Sequence, residues 1–247
     1  MRLHPAFACL LLAACAAATP LPDVSGVDAL LLGEQHDAST QPPLQQRWVD
    51  TLARSGRLGA LTLEMADRGH STAGLPSAAS EEQVRQALDW NRPGAGWPWE
   101  RYAPAIMTAV RAGVPVLGAN LPREEQRAAM KDDTLEVLLA PAALHEQEQA
   151  IRRGHCDLLP DQQVLPMTRV QIARDRAMAR AIATAAVPGK TVVLIAGAGH
   201  VAPELGVPQH LPRLLAARSL LLPGEDTGKD YCAELRKSAP GRTMDQR

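Results

Sequence analysis

The side chains with the most chemical potential stand at the ends of short apolar runs. Leu30-Leu31-Leu32 leads into Gly33-Glu34-Gln35-His36, and Leu61-Thr62-Leu63 leads into Glu64. Val116-Leu117-Gly118-Ala119 leads into Asn120, with Arg123 just beyond, and Leu194-Ile195-Ala196 leads into Gly197-Ala198-Gly199-His200. Two carboxylates and two imidazoles are an adequate donor set for a divalent metal ion, and a metal-dependent hydrolase is one chemistry they would serve. Asn120, Arg123 and Arg174 add donors that would hold carboxylates or stabilise developing negative charge. Glu34 and His36 are two positions apart and share a face in an extended chain. Gly197 and Gly199 could offer backbone amides to an anion beside His200. The same groups also have a purely structural reading. Glu34 and His36 would then be a buried pair, Glu64 would accept from amides or Arg123, and Arg174 would pair with Asp175. No serine or cysteine lies in a nucleophile-elbow pattern, which disfavours acyl-enzyme chemistry.

Short apolar runs bounded by turn residues and separated by helical stretches read as buried strands of a parallel sheet. Five are expected, at about 28–33, 58–65, 114–119, 191–196 and 219–222. Helices are expected at 44–54, from a Ser80/Gln83 capping box to 88, up to Gly113, over 142–153 and over 162–186. The fold class is therefore α/β, a mostly parallel sheet flanked by helices, with a small helical subdomain inserted at about 121–168. In such sheets ligands meet the protein at the carboxyl ends of the strands. Glu34, His36, Glu64, Asn120 and His200, although far apart in sequence, are expected to gather there.

The 26 basic and 27 acidic residues leave a net charge of −1, so no basic excess points to nucleic acid. The apolar stretch from Ala6 to Ala18 is too short for a permanent span and contains Leu12-Ala13-Ala14-Cys15, which matches a lipoprotein lipobox. The expected organisation is a signal segment over 1–14, a lipidated Cys15 opening a tether over 15–26, and a domain over 27–247. The expected location is the cell envelope, on the outer membrane facing the periplasm. Cys156 and Cys232 are the two cysteines left for the domain, and an oxidising compartment favours a disulfide between them. Four of the aromatic residues, Trp90, Trp97, Trp99 and Tyr102, lie within thirteen positions. They would either floor a flat apolar ligand, with Tyr102 offering an oxygen to ferric iron, or pack the sheet.

The series Leu32-Gly33-Glu34-Gln35-His36-Asp37, Leu63-Glu64-Met65, Trp99-Glu100-Arg101-Tyr102-Ala103-Pro104 and Gly118-Ala119-Asn120-Leu121-Pro122-Arg123 resembles the ChaN-like haem-binding lipoproteins of the Tiki superfamily. Gly154-His155-Cys156, Arg174-Asp175-Arg176 and Ile195-Ala196-Gly197-Ala198-Gly199-His200 continue the likeness, which spans about 27–212. The resemblance implies haem as ligand, iron held by a tyrosine at a homodimer interface, and partnership with an outer-membrane haem receptor. Tyr102 and Tyr231 are the two tyrosines, and Tyr102, lying inside a matching motif, is the expected ligand. Glu34, His36, Glu64, Asn120, Arg123, Arg174 and His200 are expected around it. Lys131, Lys190, Lys229 and Lys237 all fall outside the matching motifs, so the resemblance assigns no propionate contact. Tiki relatives that are metal-dependent proteases supply the rival, a divalent-metal hydrolase using Glu34, His36, Glu64 and His200.

Overall fold

The computed structural model describes residues 19–92 and 96–238; the lipobox and Cys15 lie outside the described residues. Five strands, β1 (Ala29–Glu34), β2 (Leu58–Asp67), β3 (Val116–Asn120), β4 (Thr191–Gly197) and β5 (Ala217–Leu221), form one sheet. Its order is β3-β2-β4-β1-β5, and every pairing between these strands is parallel. The helices are α1 (Gln41–Arg54), α2 (Glu81–Ala87), α3 (Trp99–Arg111), α4 (Arg123–Ala129), α5 (Pro141–Gly154), α6 (Asp161–Ala185) and α7 (Tyr231–Ser238). The chain is thus the α/β fold that its apolar runs imply.

Side chains alternate between the two faces of a strand, and that alternation sorts the core. Leu30, Leu32, Leu61, Leu63, Val193 and Ile195 pack with α1 and α3 on one face. Ala29, Leu31, Ala60, Val192, Leu194 and Ala196 pack with Met178, Ala179 and Ile182 of α6 on the other. Central strands buried on both faces read as unbroken apolar runs, whereas the edge strand β5 is largely exposed. Leu121, Leu135, Leu139 and Ile172 make a third cluster, which holds α4 and the following 3₁₀ turn Asp133–Leu138 against α6.

Two details depart from the sequence reading. Residues 19–26, expected as tether, lie on the domain: Val24 is buried, and the Trp48 indole N–H lies 3.4 Å from the Thr19 carbonyl. The register of β2 against β3 also shifts between Leu63 and Asp67. There a Cβ on Gly118 would sit 2.0 Å from the Asp67 carbonyl oxygen, so only glycine admits the bulge. Among the described residues no helix is long and apolar enough to cross a membrane.

Candidate functional site

Parity along the strands decides which face each carboxylate serves. Glu34 continues the series Leu30, Leu32 and therefore points toward α1 and α3. Its Oε1 accepts the Tyr102 hydroxyl at 2.6 Å and the His36 Nδ1–H at 2.9 Å, and its Oε2 accepts from the Gln45 amide. Glu64 continues Ala60 and Thr62 and points toward α6. Its Oε1 accepts from Arg174 at 2.6 Å, and its Oε2 accepts the Gly197 amide at 2.7 Å. Several donors on each buried carboxylate are the condition under which such a charge is tolerated inside a fold.

His36 joins the two faces. Nδ1 must carry the proton, because the Glu34 carboxylate only accepts. Nε2 then lies 3.8 Å from Glu64 Oε2, across the end of β4. The crossing depends on Gly197, where a Cβ would stand 2.7 Å from Nε2. On its outer side the imidazole tilts against Trp97, ring centroids 4.7 Å apart, and it stays 38% exposed. A histidine whose Nδ1–H is fixed by a carboxylate, with its other nitrogen left to a crevice, is the arrangement found behind many metal-ligating imidazoles.

Behind His36 runs a buried ionic chain. His200 Nδ1 lies 2.5 Å from Asp175 Oδ1, its Nε2 lies 3.4 Å from Glu64 Oε1, and Arg174 ties Glu64 to Asn120 at 2.9 Å. Burial works against the charge of His200, but Glu64 and Asp175 outweigh it and push the imidazole up to about 9. Burial alone would also raise Glu64, yet His200, Arg174 and His36 outweigh it and hold its carboxyl well below the usual carboxylate range. Burial raises Asp175, and the His200 charge beside it works in the opposite direction.

The expected site residues therefore divide. Glu34, His36, Glu64, Asn120, Arg174 and His200 meet at one rim. Arg123 does not join them: it opens α4 with its side chain exposed and, among the described residues, bonds to none of the cluster. Tyr102 is at the rim but enclosed, 1% exposed, and burial together with the Glu34 charge raises its phenol far above the ordinary value. The Gly197 amide is spent on Glu64 and is not offered to an anion. The divalent-metal reading finds no donor set, since among the described residues no three His, Cys, Asp or Glu side chains are grouped as ligands. Arg174 on Glu64 adds a fixed positive charge where a cation would have to sit.

Gln45 joins the cluster without a motif to mark it, and Asp175, which lies in a matching motif but is expected from the sequence only as a partner of Arg174, pairs with His200. Their signal is spacing: Gln41 and Gln45 are one turn apart on α1 and both buried, and Gln171, Arg174, Asp175, Met178 and Ile182 trace one inward stripe of α6. Cys156 and Cys232 form the expected disulfide.

The profile of the family described as haem-binding uptake, Tiki superfamily, ChaN matches residues 21–211. No curated protein sequence matches the chain. Among solved structures, the one described as cofacial heme binding to ChaN of Campylobacter jejuni is similar, with a TM-score of 0.63 and 20% identity. The likeness covers 83% of this chain and 84% of that one, and at this identity it is a likeness of fold.

Proposed function

This chain belongs to the ChaN family of haem-binding uptake proteins in the Tiki superfamily, and from that membership we propose that it captures haem at the strand-end rim around His36. The observation that carries the reading is the half-exposed imidazole between Trp97 and the Glu34 carboxylate. A flat aromatic wall and an anchored nitrogen suit a planar macrocycle with iron at its centre. Haem is cargo in this reading, and the chain's own part is to bind and orient it.

The tyrosine that ligates iron is assigned to Tyr231, in place of Tyr102. A phenolate ligand needs access, and since both tyrosines donate to a carboxylate, access decides between them. The Tyr102 hydroxyl is enclosed and committed to Glu34, whereas Tyr231 is 48% exposed and donates to Asp37. Tyr102 then acts through Glu34 to hold His36. A haem on an open rim leaves one face wet, and a second copy carrying its own haem would cover it. The relative described as binding heme cofacially supports stacked haems, and a homodimer is the arrangement in which two copies of this chain would supply them. The lipobox at Cys15 supports anchoring in the cell envelope, facing the periplasm, where haem delivered by an outer-membrane receptor would be met.

Titrating the mature chain with hemin tests the proposal. A saturable Soret shift with a tyrosinate high-spin spectrum is expected, accompanied by dimer formation in sedimentation. Tyr231→Phe should remove the tyrosinate signature and Tyr102→Phe should keep it; the reverse pattern returns the ligand to Tyr102. The absence of any saturable shift ends the haem reading.

A further inference from the structure

The family match ends at residue 211, and the chain beyond it adds a further layer to the rim. After β5 the backbone turns across the loop that carries His36. The Leu222 amide donates to the Gly33 carbonyl, and the Gln41 side chain donates to the Pro223 carbonyl at 2.8 Å. Glu225 then takes hold of the loop on both sides of His36. Its backbone exchanges two hydrogen bonds with the Gln35 side chain, at 3.0 and 3.1 Å, and its carboxylate accepts from Ser39 and Thr40. Asp37, the next residue after His36, accepts from Tyr231 and pairs with Lys229 at 3.2 Å. The Glu225 and Asp37 carboxyls are both lowered chiefly by these donors.

The far end of the segment is covalently fixed. Cys232 on α7 is bonded to Cys156, which stands at the end of α5 in the helical subdomain. Cys156 and Asp157 both have positive φ, at 55° and 56°, a conformation that persists in non-glycine residues only where the surroundings hold it. The segment is therefore tied at one end to β1 and at the other to α5. Between the two ends its side chains and backbone bond chiefly to the neighbours of one imidazole.

We infer that residues 222–232 are a positioning strap for His36, secured by the Cys156–Cys232 bond, so that the helical subdomain and the ligand-facing loop move as one body. Apart from Tyr231, which the haem reading makes a ligand, the groups of the strap would orient the imidazole nitrogen without touching the ligand. The haem reading enters only the affinity arm of the test.

The test uses the haem-free, oxidised chain alongside Glu225→Ala and a Cys156→Ser/Cys232→Ser double variant. The His36 Nδ1–H resonance and the amide exchange of residues 35–41 are followed by NMR. The wild type should show a slowly exchanging Nδ1–H, and both variants, still folded by circular dichroism, should broaden it and speed exchange across the loop. Hemin affinity should fall about 10- to 100-fold in both. Glu225→Ala keeps the disulfide and alters a surface residue, so it decides the matter if the double variant fails to fold. An unchanged Nδ1–H signal and unchanged loop exchange in Glu225→Ala overturn the inference. If the wild type binds no hemin, the haem reading falls while the NMR arm still tests the strap.

Discussion

Raising the pH through the alkaline range should strip stability from this fold by a route that leads to His200. The imidazole is buried between Glu64 and Asp175, and the two carboxylates raise it from 6.5 to about 9. The sign follows from the direction of that shift. A histidine bound more tightly to its proton in the folded state contributes its full stabilisation below its unfolded value and loses it as pH rises through the folded one. Each tenfold gain in proton affinity is worth about 1.4 kcal/mol, so roughly 3 kcal/mol of stability is present below pH 6.5 and gone above about 9. Urea unfolding from about pH 6 to 10 measures this directly when wild type and His200→Gln are run together. Tyrosines, lysines and the chain ends titrate in both proteins and cancel in the difference. The wild-type curve should descend more steeply by roughly 3 kcal/mol across the interval, and a ring resonance of His200 should titrate near 9. His200→Gln leaves Glu64 and Asp175 short of a cation and will itself be destabilised, by about 3–5 kcal/mol if it behaves like other broken buried pairs. Should it not fold, the wild-type ring titration stands alone. Parallel stability curves, or a His200 ring that titrates near its ordinary value, would refute the buried ionic chain as described.

Two further outcomes rest on glycines with no room for a side chain. Gly118→Ala drives a methyl onto the Asp67 carbonyl, a backbone atom that cannot step aside, so thermal unfolding should show a loss of about 1–3 kcal/mol or more. Gly197→Ala meets the tip of His36, a side chain able to move. Its stability should change little, while the His36–Glu34 hydrogen bond is lost in NMR and hemin affinity drops.

The strand ends are legible in the sequence because each central strand is a short apolar run stopped by a polar group, and a parallel sheet gives those stops a common edge. Which strands are neighbours is not legible. The order β3-β2-β4-β1-β5 inserts β4 between the two carboxylate-bearing strands, and nothing local to Glu34 or Glu64 encodes that. Hence Gly197 reads as an amide donor for a ligand, when its part is to leave space for His36 and to satisfy Glu64. Arg123 and Arg174 look equivalent as cations near the rim. Only the helix stripe Gln171, Arg174, Asp175, Met178 marks Arg174 as inward, whereas Arg123 sits on a short helix whose buried side is a lone alanine. Tyr102 carries two readings, and its position four residues before Ile106 on the buried stripe of α3 favours the enclosed one.

The arrangement of donors and acceptors at the rim also bears on what the buried cluster is for. Glu34 accepts three side-chain donors, Glu64 accepts a guanidinium and an amide, and His200 is held between two carboxylates. Groups so committed have little left to give a ligand, and freeing any of them would leave a buried charge with too few partners. What the cluster can do at low cost is fix direction. Through Glu34 on one face of the sheet and Glu64 on the other, it sets the plane and the proton position of one half-exposed imidazole. Substitutions at Gln45, Tyr102 or Arg174 should accordingly act on ligand binding through the orientation of His36, and their effects should fail to add when combined with His36→Ala. Independent, additive losses in such double variants would mean that these residues touch the ligand themselves.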